Sequence, residues 1–245
     1  MLGVGNKNWS TNISATMRLK RHISFILIIG CALSVVAQQK DKQEPKDTYV
    51  IRKSDRLFVE LMLNNWLEVP DGIEVRTYSL GFDASFLWDI RFGTSNFSFA
   101  PGIGFSSHNV HHNGQFSKID SAGARFTDLQ PFPSSYSYKK NKLSMNYIEL
   151  PLELRFRTNG YTPFRLTAGI KIGVLVDAHT KTKDDDGTHK FKPLPNTLPY
   201  RYGVFGRIGY SWFSIVAFYS LTNVFEDGNG VELTPVSVGI SITPF

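Results

Sequence analysis

Asn146-Tyr147-Ile148-Glu149-Leu150-Pro151-Leu152-Glu153-Leu154-Arg155-Phe156-Arg157 is the stretch on which the fold turns. Its even positions, Ile148, Leu150, Leu152, Leu154 and Phe156, are all apolar, while the odd positions Tyr147, Glu149, Pro151, Glu153, Arg155 and Arg157 carry four charges. A repeat of two is that of a β-strand, whose successive side chains point to opposite faces. The same repeat continues outward in both directions. Tyr78, Leu80, Phe82, Ala84, Phe86 and Trp88 alternate with Ser79, Gly81, Asp83, Ser85 and Asp89. Phe97, Phe99, Ile103 and Phe105 alternate with Ser98, Ala100, Gly102, Gly104 and Ser106, and Phe164 to Val176 repeats the pattern against Arg165, Thr167, Gly169, Lys171, Gly173 and Asp177. Tyr202, Val204, Ile208 and Tyr210 face away from Arg201, Gly203 and Arg207, and shorter versions occur at 57–63, 213–221 and 236–242. The chain therefore reads as all-β, with about eight strands.

Alternation does not say which face is buried. In a soluble sandwich the apolar face would be the core; in a membrane barrel it meets lipid. Three features favour the barrel. The segments 77–91, 97–109, 146–157 and 163–177 exceed the five or six residues usual for soluble strands and suit a bilayer crossing of about 9–11 residues. The polar faces are rich in Gly, Ser and Ala, which make room in a narrow lumen for large side chains. The connections alternate in length, as they do when long outer loops follow short periplasmic turns. Those at 92–96, 158–162 and 210–211 are short, those at 111–143 and 178–199 long, and those at 66–77 and 223–235 intermediate. The expectation is one antiparallel transmembrane barrel over 57–245.

Composition agrees. With 42% hydrophobic residues, the 245-residue chain is too apolar for disorder, and its one short apolar run excludes a bundle of membrane helices. That run, Ile23 to Gly30, follows the basic Met17-Arg18-Leu19-Lys20-Arg21-His22 and precedes Val35-Val36-Ala37, the layout of a secretory signal peptide. Met17 is the expected start and 1–16 an overhang. Cleavage is expected between Ala37 and Gln38, giving a signal segment at 1–37 and a polar periplasmic tether at 38–56. An alternative is that Ile28-Ile29-Gly30-Cys31 is a lipoprotein box with lipid on Cys31. Against it, the apolar run continues through Val36, where a lipoprotein tether would be polar.

Cleavage removes Lys7, Arg18, Lys20 and Arg21 and no acid, so the whole-chain charge of +6 becomes 23 bases against 21 acids, a net of +2. The case for nucleic-acid binding goes with it. The sole cysteine goes too, excluding a disulfide scaffold and multi-thiolate metal sites.

The expected lumen face carries Glu60, Asp83, Asp89, Glu149, Glu153, Arg155, Arg157, Arg165, Lys171, Arg201 and Arg207. Eight strands enclose only enough space for side chains, so these charges should pair across the interior and seal it. Other candidate chemistry is weaker. His108, His111 and His112 cluster, but on a strand His108 and His111 face opposite ways, which argues against a metal site. Ser106, His108 and Glu149 make a triad only on paper. Asp184-Asp185-Asp186-Gly187 lacks the alternate acids of an EF-hand and reads as a surface loop. No catalytic, cofactor or metal residues are assigned. Tyr136, Tyr138, Lys139, Lys140 and Lys142 suggest a basic, aromatic loop edge. Phe245 supplies the aromatic end by which insertion machinery recognises many barrels, though out of phase with Val236, Val238, Ile240 and Ile242.

The run Tyr147-Ile148-Glu149-Leu150-Pro151-Leu152 resembles the Y-[IL]-E-[IL]-P-L strand of the PorT family of small outer-membrane barrels, and the Phe97–His108 strand is similar to it as well. The resemblance spans 57–245. It implies an outer-membrane location and a non-enzymatic component or assembly factor of type IX secretion, serving export of gingipain-type proteases and adhesins. The implied partners are outer-membrane lipid, other secretion proteins and the barrel-insertion machinery. A structural or adhesion barrel binding ligands through its loops, or a small lipid-modifying enzyme, are the alternatives.

Overall fold

The computed structural model describes residues 56–121, 124–160, 162–192 and 194–243. The expected signal segment, the Ala37–Gln38 junction, Cys31, the tether to residue 55 and Phe245 lie outside the described residues. Twelve strands follow in order: β1 Leu57–Leu67, β2 Leu80–Leu87, β3 Ile90–Arg91, β4 Phe97–His111, β5 Gly114–Ser121, β6 Ala124–Pro131, β7 Lys140–Arg157, β8 Phe164–Lys183, β9 Thr188–Phe191, β10 Tyr200–Tyr210, β11 Phe213–Ser220 and β12 Thr234–Ile242. No helix occurs among the described residues.

Eight of these strands form a closed ring. β1 pairs antiparallel with β2, β2 with β4, β4 with β7, β7 with β8, β8 with β10, β10 with β11 and β11 with β12. β12 returns to β1 from Val59↔Ile242 to Leu67↔Thr234, so the ring has no free edge. The eight-stranded antiparallel barrel expected from the alternation is the fold observed. Leu61, Leu80, Ile103, Leu150, Ile172 and Ile240 stand exposed on the outer wall, which is therefore apolar. Trp88, Phe92, Phe97, Tyr210 and Trp212 are exposed at the short-turn end, and Tyr78, Tyr200 and Tyr202 towards the other, the placement of two interfacial aromatic girdles.

The structure corrects two details. The segment expected as one strand over 77–91 is split into β2 and β3 in a constant register, Leu87↔Gly102 and Ile90↔Phe99. The gap lies opposite Pro101, which has no N–H to give the ladder, although Trp88 N still donates to Pro101 O at 2.8 Å. The long connections are also folded rather than loose. β5 and β6 form a hairpin inside the first, and β9 pairs with the end of β8 inside the second.

Those additions build a second layer beyond the apolar wall. β4, β7 and β8 run past it to lengths of 15, 18 and 20 residues. There the polarity of the two faces is exchanged: Val110, Leu143 and Met145 point inward, while Asn109, Lys142 and His179 point outward. A register shift between β7 and β8 at Asn146/Tyr147, with Val176 as the extra residue on β8, marks the changeover. The inward residues join Trp66, Ile73, Leu129, Val224, Phe225 and Leu233 in a buried apolar cluster. The long-connection end is thus closed by a water-facing cap with a soluble-type core.

Candidate functional site in the lumen and the cap

Below the cap the interior is filled by charge. Arg207 lies 2% exposed between two carboxylates, donating from Nε to Glu60 at 2.5 Å and from a terminal nitrogen to Glu153 at 2.7 Å. Glu153 also accepts from Arg155 Nε at 2.8 Å, and Arg155 lies 3.5 Å from Asp89, whose carboxylate accepts from Ser98 Oγ. Lys171 Nζ donates to Asp83 at 2.7 Å and stands 3.4 Å from Glu60 and 3.6 Å from Glu149. Arg201 donates to Glu149 at 2.5 Å and to Ser106 Oγ at 3.1 Å, and Ser106 Oγ donates in turn to Asp83. Glu60, Asp83, Asp89, Glu149, Glu153, Arg155, Lys171, Arg201 and Arg207 are thereby joined in one connected network. Arg157 and Arg165 sit opposite each other at the short-turn rim.

Apolar side chains that the alternation does not flag complete the filling. Phe58, Met62, Phe205, Val216 and Phe218 are buried inside the ring. Phe205 and Phe218 offer ring faces to Lys171, at 5.3 and 5.8 Å, and Phe58 lies under both Arg155 and Arg207. The sequence does carry a signal for the two phenylalanines in the glycines beside them. A Cβ on Gly203 would come within 2.7 Å of the Phe218 ring, and one on Gly169 within 2.9 Å of Phe205. Each glycine is the space its neighbouring ring occupies.

The network ends at the cap on Tyr147, whose ring lies 4.0 Å from the Arg201 guanidinium and belongs to the apolar cluster above. Beyond it Trp66, His112, Phe116 and Phe225 form an aromatic column with centroid separations of 5.3, 5.4 and 5.6 Å. Gly114 N donates to His112 Nδ1, which fixes the neutral ring as the species held. Burial, aided by the charge of His111, lowers the His112 pKa to about 3.

The three histidines do not converge. His108 is buried in the barrel with Nε2 lacking a hydrogen-bond partner, His111 is on the outer face and His112 lies inside the cap. Among the described residues no group of three or more His, Cys, Asp or Glu is placed to hold a metal ion. Ser106 bonds to Asp83 and Arg201, so its hydroxyl and His108 form no nucleophile–base pair. Asp184 is the first residue of the β8–β9 turn: its carboxylate accepts from the Asp186 and Gly187 amides and from Tyr136 at 2.7 Å. The hydrogen bond from Tyr136 holds the Asp184 pKa below the usual range.

The cap carries a cleft of about 670 Å³ between the β5–β6 hairpin and β9. Phe116, Phe132, Tyr136, His189 and Phe191 line it above a floor of Asn141 and Thr182. Asn141 is saturated, donating to Gly114 O and His112 O and accepting from Thr182 Oγ1.

A closed antiparallel ring with an apolar outer wall, a charged interior and alternating short and long connections defines a transmembrane β-barrel. The outer membrane protein beta-barrel domain family matches residues 57–226, and the chain belongs to it. No curated protein matches the chain. Among solved structures the chain is similar to Ail, the attachment invasion locus protein of Yersinia pestis, at 12% identity over 76% of this chain and 95% of that one, with a TM-score of 0.33. The complex of Ail with the heparin analogue sucrose octasulfate matches at 14% identity over 76% and 96%, with a TM-score of 0.34.

Proposed function

We propose that this outer-membrane barrel is a non-enzymatic component or assembly factor of type IX protein secretion, close in role to PorT, and that it is not the conduit for cargo. The observation that carries this reading is the filled interior. Glu60, Glu149, Glu153, Lys171, Arg201 and Arg207, all buried and mutually paired, occupy the cross-section that a translocating chain would need. Opening it would separate charges in a desolvated interior, at a cost of several kcal/mol for each one. The family-like run supports the reading further, because Tyr147, Glu149 and Pro151 all point inward, and Tyr147 and Glu149 join the network to the cap through Arg201. The working surfaces are then the cap, the lipid-facing wall and the tether at 38–56. In this orientation the N-terminus is periplasmic and the cap faces outward.

The test is cell fractionation in a strain lacking the gene, following secreted proteases that carry a type IX export signal. Periplasmic precursors that clear when the gene is restored are the expected result. Normal export without the gene would sink the assignment.

The cleft in the cap favours one second reading, a barrel that binds a surface ligand. Phe132, Tyr136 and Phe191 line the cleft together with exposed Lys118, and Tyr138 packs on Phe132. Replacing Phe132 and Tyr136 by Ala would abolish adhesion on this reading while leaving export intact.

A further inference from the structure

The outer faces of β4, β7, β8 and β9 carry rows of side chains paired across the strands, with one register shift that leaves exposed Val176 unpaired between Val174 and Asp177 on β8. Phe105, Ile148 and Val174 form the last apolar row. Above it come Ser107, Asn146 and Asp177, then Asn109, Ser144 and His179. The next row is His111, Lys142, Lys181 and Lys190, one residue on each of four adjacent strands, and above that lie Lys140 and Lys183. Among the described residues none of these five lysines forms an ion pair. Like charges placed directly opposite one another destabilise a sheet. A row of them without acids is a local conflict that the fold itself does not resolve. Burial, and then the charges of Lys181, Lys140 and Lys190, push the Lys142 pKa down. Burial and neighbouring lysines do the same to His111 and His179.

The position of the row relative to the bilayer says what relieves this conflict. From Phe105 to His111 is six residues, about 20 Å along the strand, or about 15 Å along the membrane normal at a typical barrel tilt. Phospholipid headgroups occupy only the first ~5–8 Å beyond the hydrocarbon. Phosphates carried on a sugar headgroup stand farther out, within reach of lysines that bend towards the membrane. The sequence of rows runs from apolar, through amide, hydroxyl and imidazole with one carboxylate, Asp177, that is already paired with His179 and Lys192, to cationic, and it matches acyl chains, sugar hydroxyls and phosphates in that order.

We propose that the outer face of β4, β7, β8 and β9 is a binding site for a phosphorylated glycolipid of the outer leaflet, with Lys142, Lys181 and Lys190 taking its phosphates. The site rests on the cap facing outward, as in the function proposed above, but not on a role in export. It needs no substrate to be secreted, and a barrel with no part in export would still bind the lipid.

The test uses the purified mature barrel in phosphatidylcholine nanodiscs, with binding measured by native mass spectrometry. The probes are bisphosphorylated lipid A, dephosphorylated lipid A, phosphatidylglycerol and inorganic phosphate. Bisphosphorylated lipid A is expected to bind at least tenfold more tightly than each of the others. The triple substitution K142Q/K181Q/K190Q is expected to lose roughly a hundredfold in affinity, from the removal of three surface cations. Lys139→Gln, which alters a lysine paired instead with Asp185, is expected to bind as the unsubstituted chain does. Heat-modified migration on gels verifies that each variant is folded, and if the triple variant is not, the single substitution Lys181→Gln is read in its place, with about a fivefold loss expected. Equal binding by the folded variant and the unsubstituted chain overturns the site. Equal binding of phosphatidylglycerol overturns its glycolipid assignment, and equal binding of inorganic phosphate reduces it to a free-anion site. Export in cells is a separate readout, so a failure of the secretion role leaves this result standing.

Discussion

Arg207 shows how much one side chain can hold. It bridges Glu60 and Glu153 from opposite sides, and Glu60 is shared with Lys171, so its removal leaves two carboxylates facing each other without solvent. Arg207→Ala should destabilise the barrel by about 3–5 kcal/mol, the usual consequence of breaking a buried pair from one side. Thermal unfolding of the detergent-solubilised barrel measures this, and an unchanged midpoint would contradict the network. His112 makes a different prediction. Its folded pKa of about 3 lies below the ordinary 6.5, so protons bind the unfolded cap better. The stability it contributes is complete above pH 6.5 and is lost progressively as pH falls towards 3. Trp66, 5.3 Å away, reports it. In a barrel with Trp88 and Trp212 replaced by Phe, Trp66 emission should change as pH falls to about 3, where the folded ring takes up its proton, and His112→Gln should remove the change.

At the scale of the element, the same strand serves two solvents. On β7, Ile148 to Phe156 face lipid from even positions, whereas Leu143 and Met145 are apolar at odd positions and face a core. That change of phase is legible in the sequence, as is the one between Phe105 and Val110 on β4 and between Leu63 and Trp66 on β1. A reading that looks for one apolar face per segment stops at the change, treats the remainder as loop and so misses the cap. The β5–β6 hairpin is hidden for a different reason: it alternates weakly, and Leu129 becomes buried and Phe116 half-buried only because strands distant in sequence meet them. The inward charges are legible because charge recurring at every second position, opposite an unbroken apolar face, fits a strand between two media and little else. The inward Phe205 and Phe218 look like ordinary apolar residues by the same measure. If the cap has its own core, Leu129→Ala should weaken it by about 2–5 kcal/mol. Limited proteolysis should then cut within 112–139, while heat-modified migration still reports an intact barrel.

At the scale of the whole molecule, three zones follow one another along the barrel: a short-turn rim with Arg157 and Arg165, a lipid-facing ring around paired charges, and a cap that is apolar inside and basic outside. Each zone is shaped by the medium around it, since the apolar side chains face lipid where lipid is present and face inward where water is. Filling and capping together close the lumen twice, once by ion pairs and once by packed rings. A barrel closed this way can serve export only through its surfaces and not as a passage. Conductance across a planar bilayer tests this most directly. The mature barrel, inserted and verified as folded, should give no stable current steps at moderate voltage. Regular steps of a size typical of a water-filled pore would contradict the sealed lumen, and with it the assignment to an accessory role.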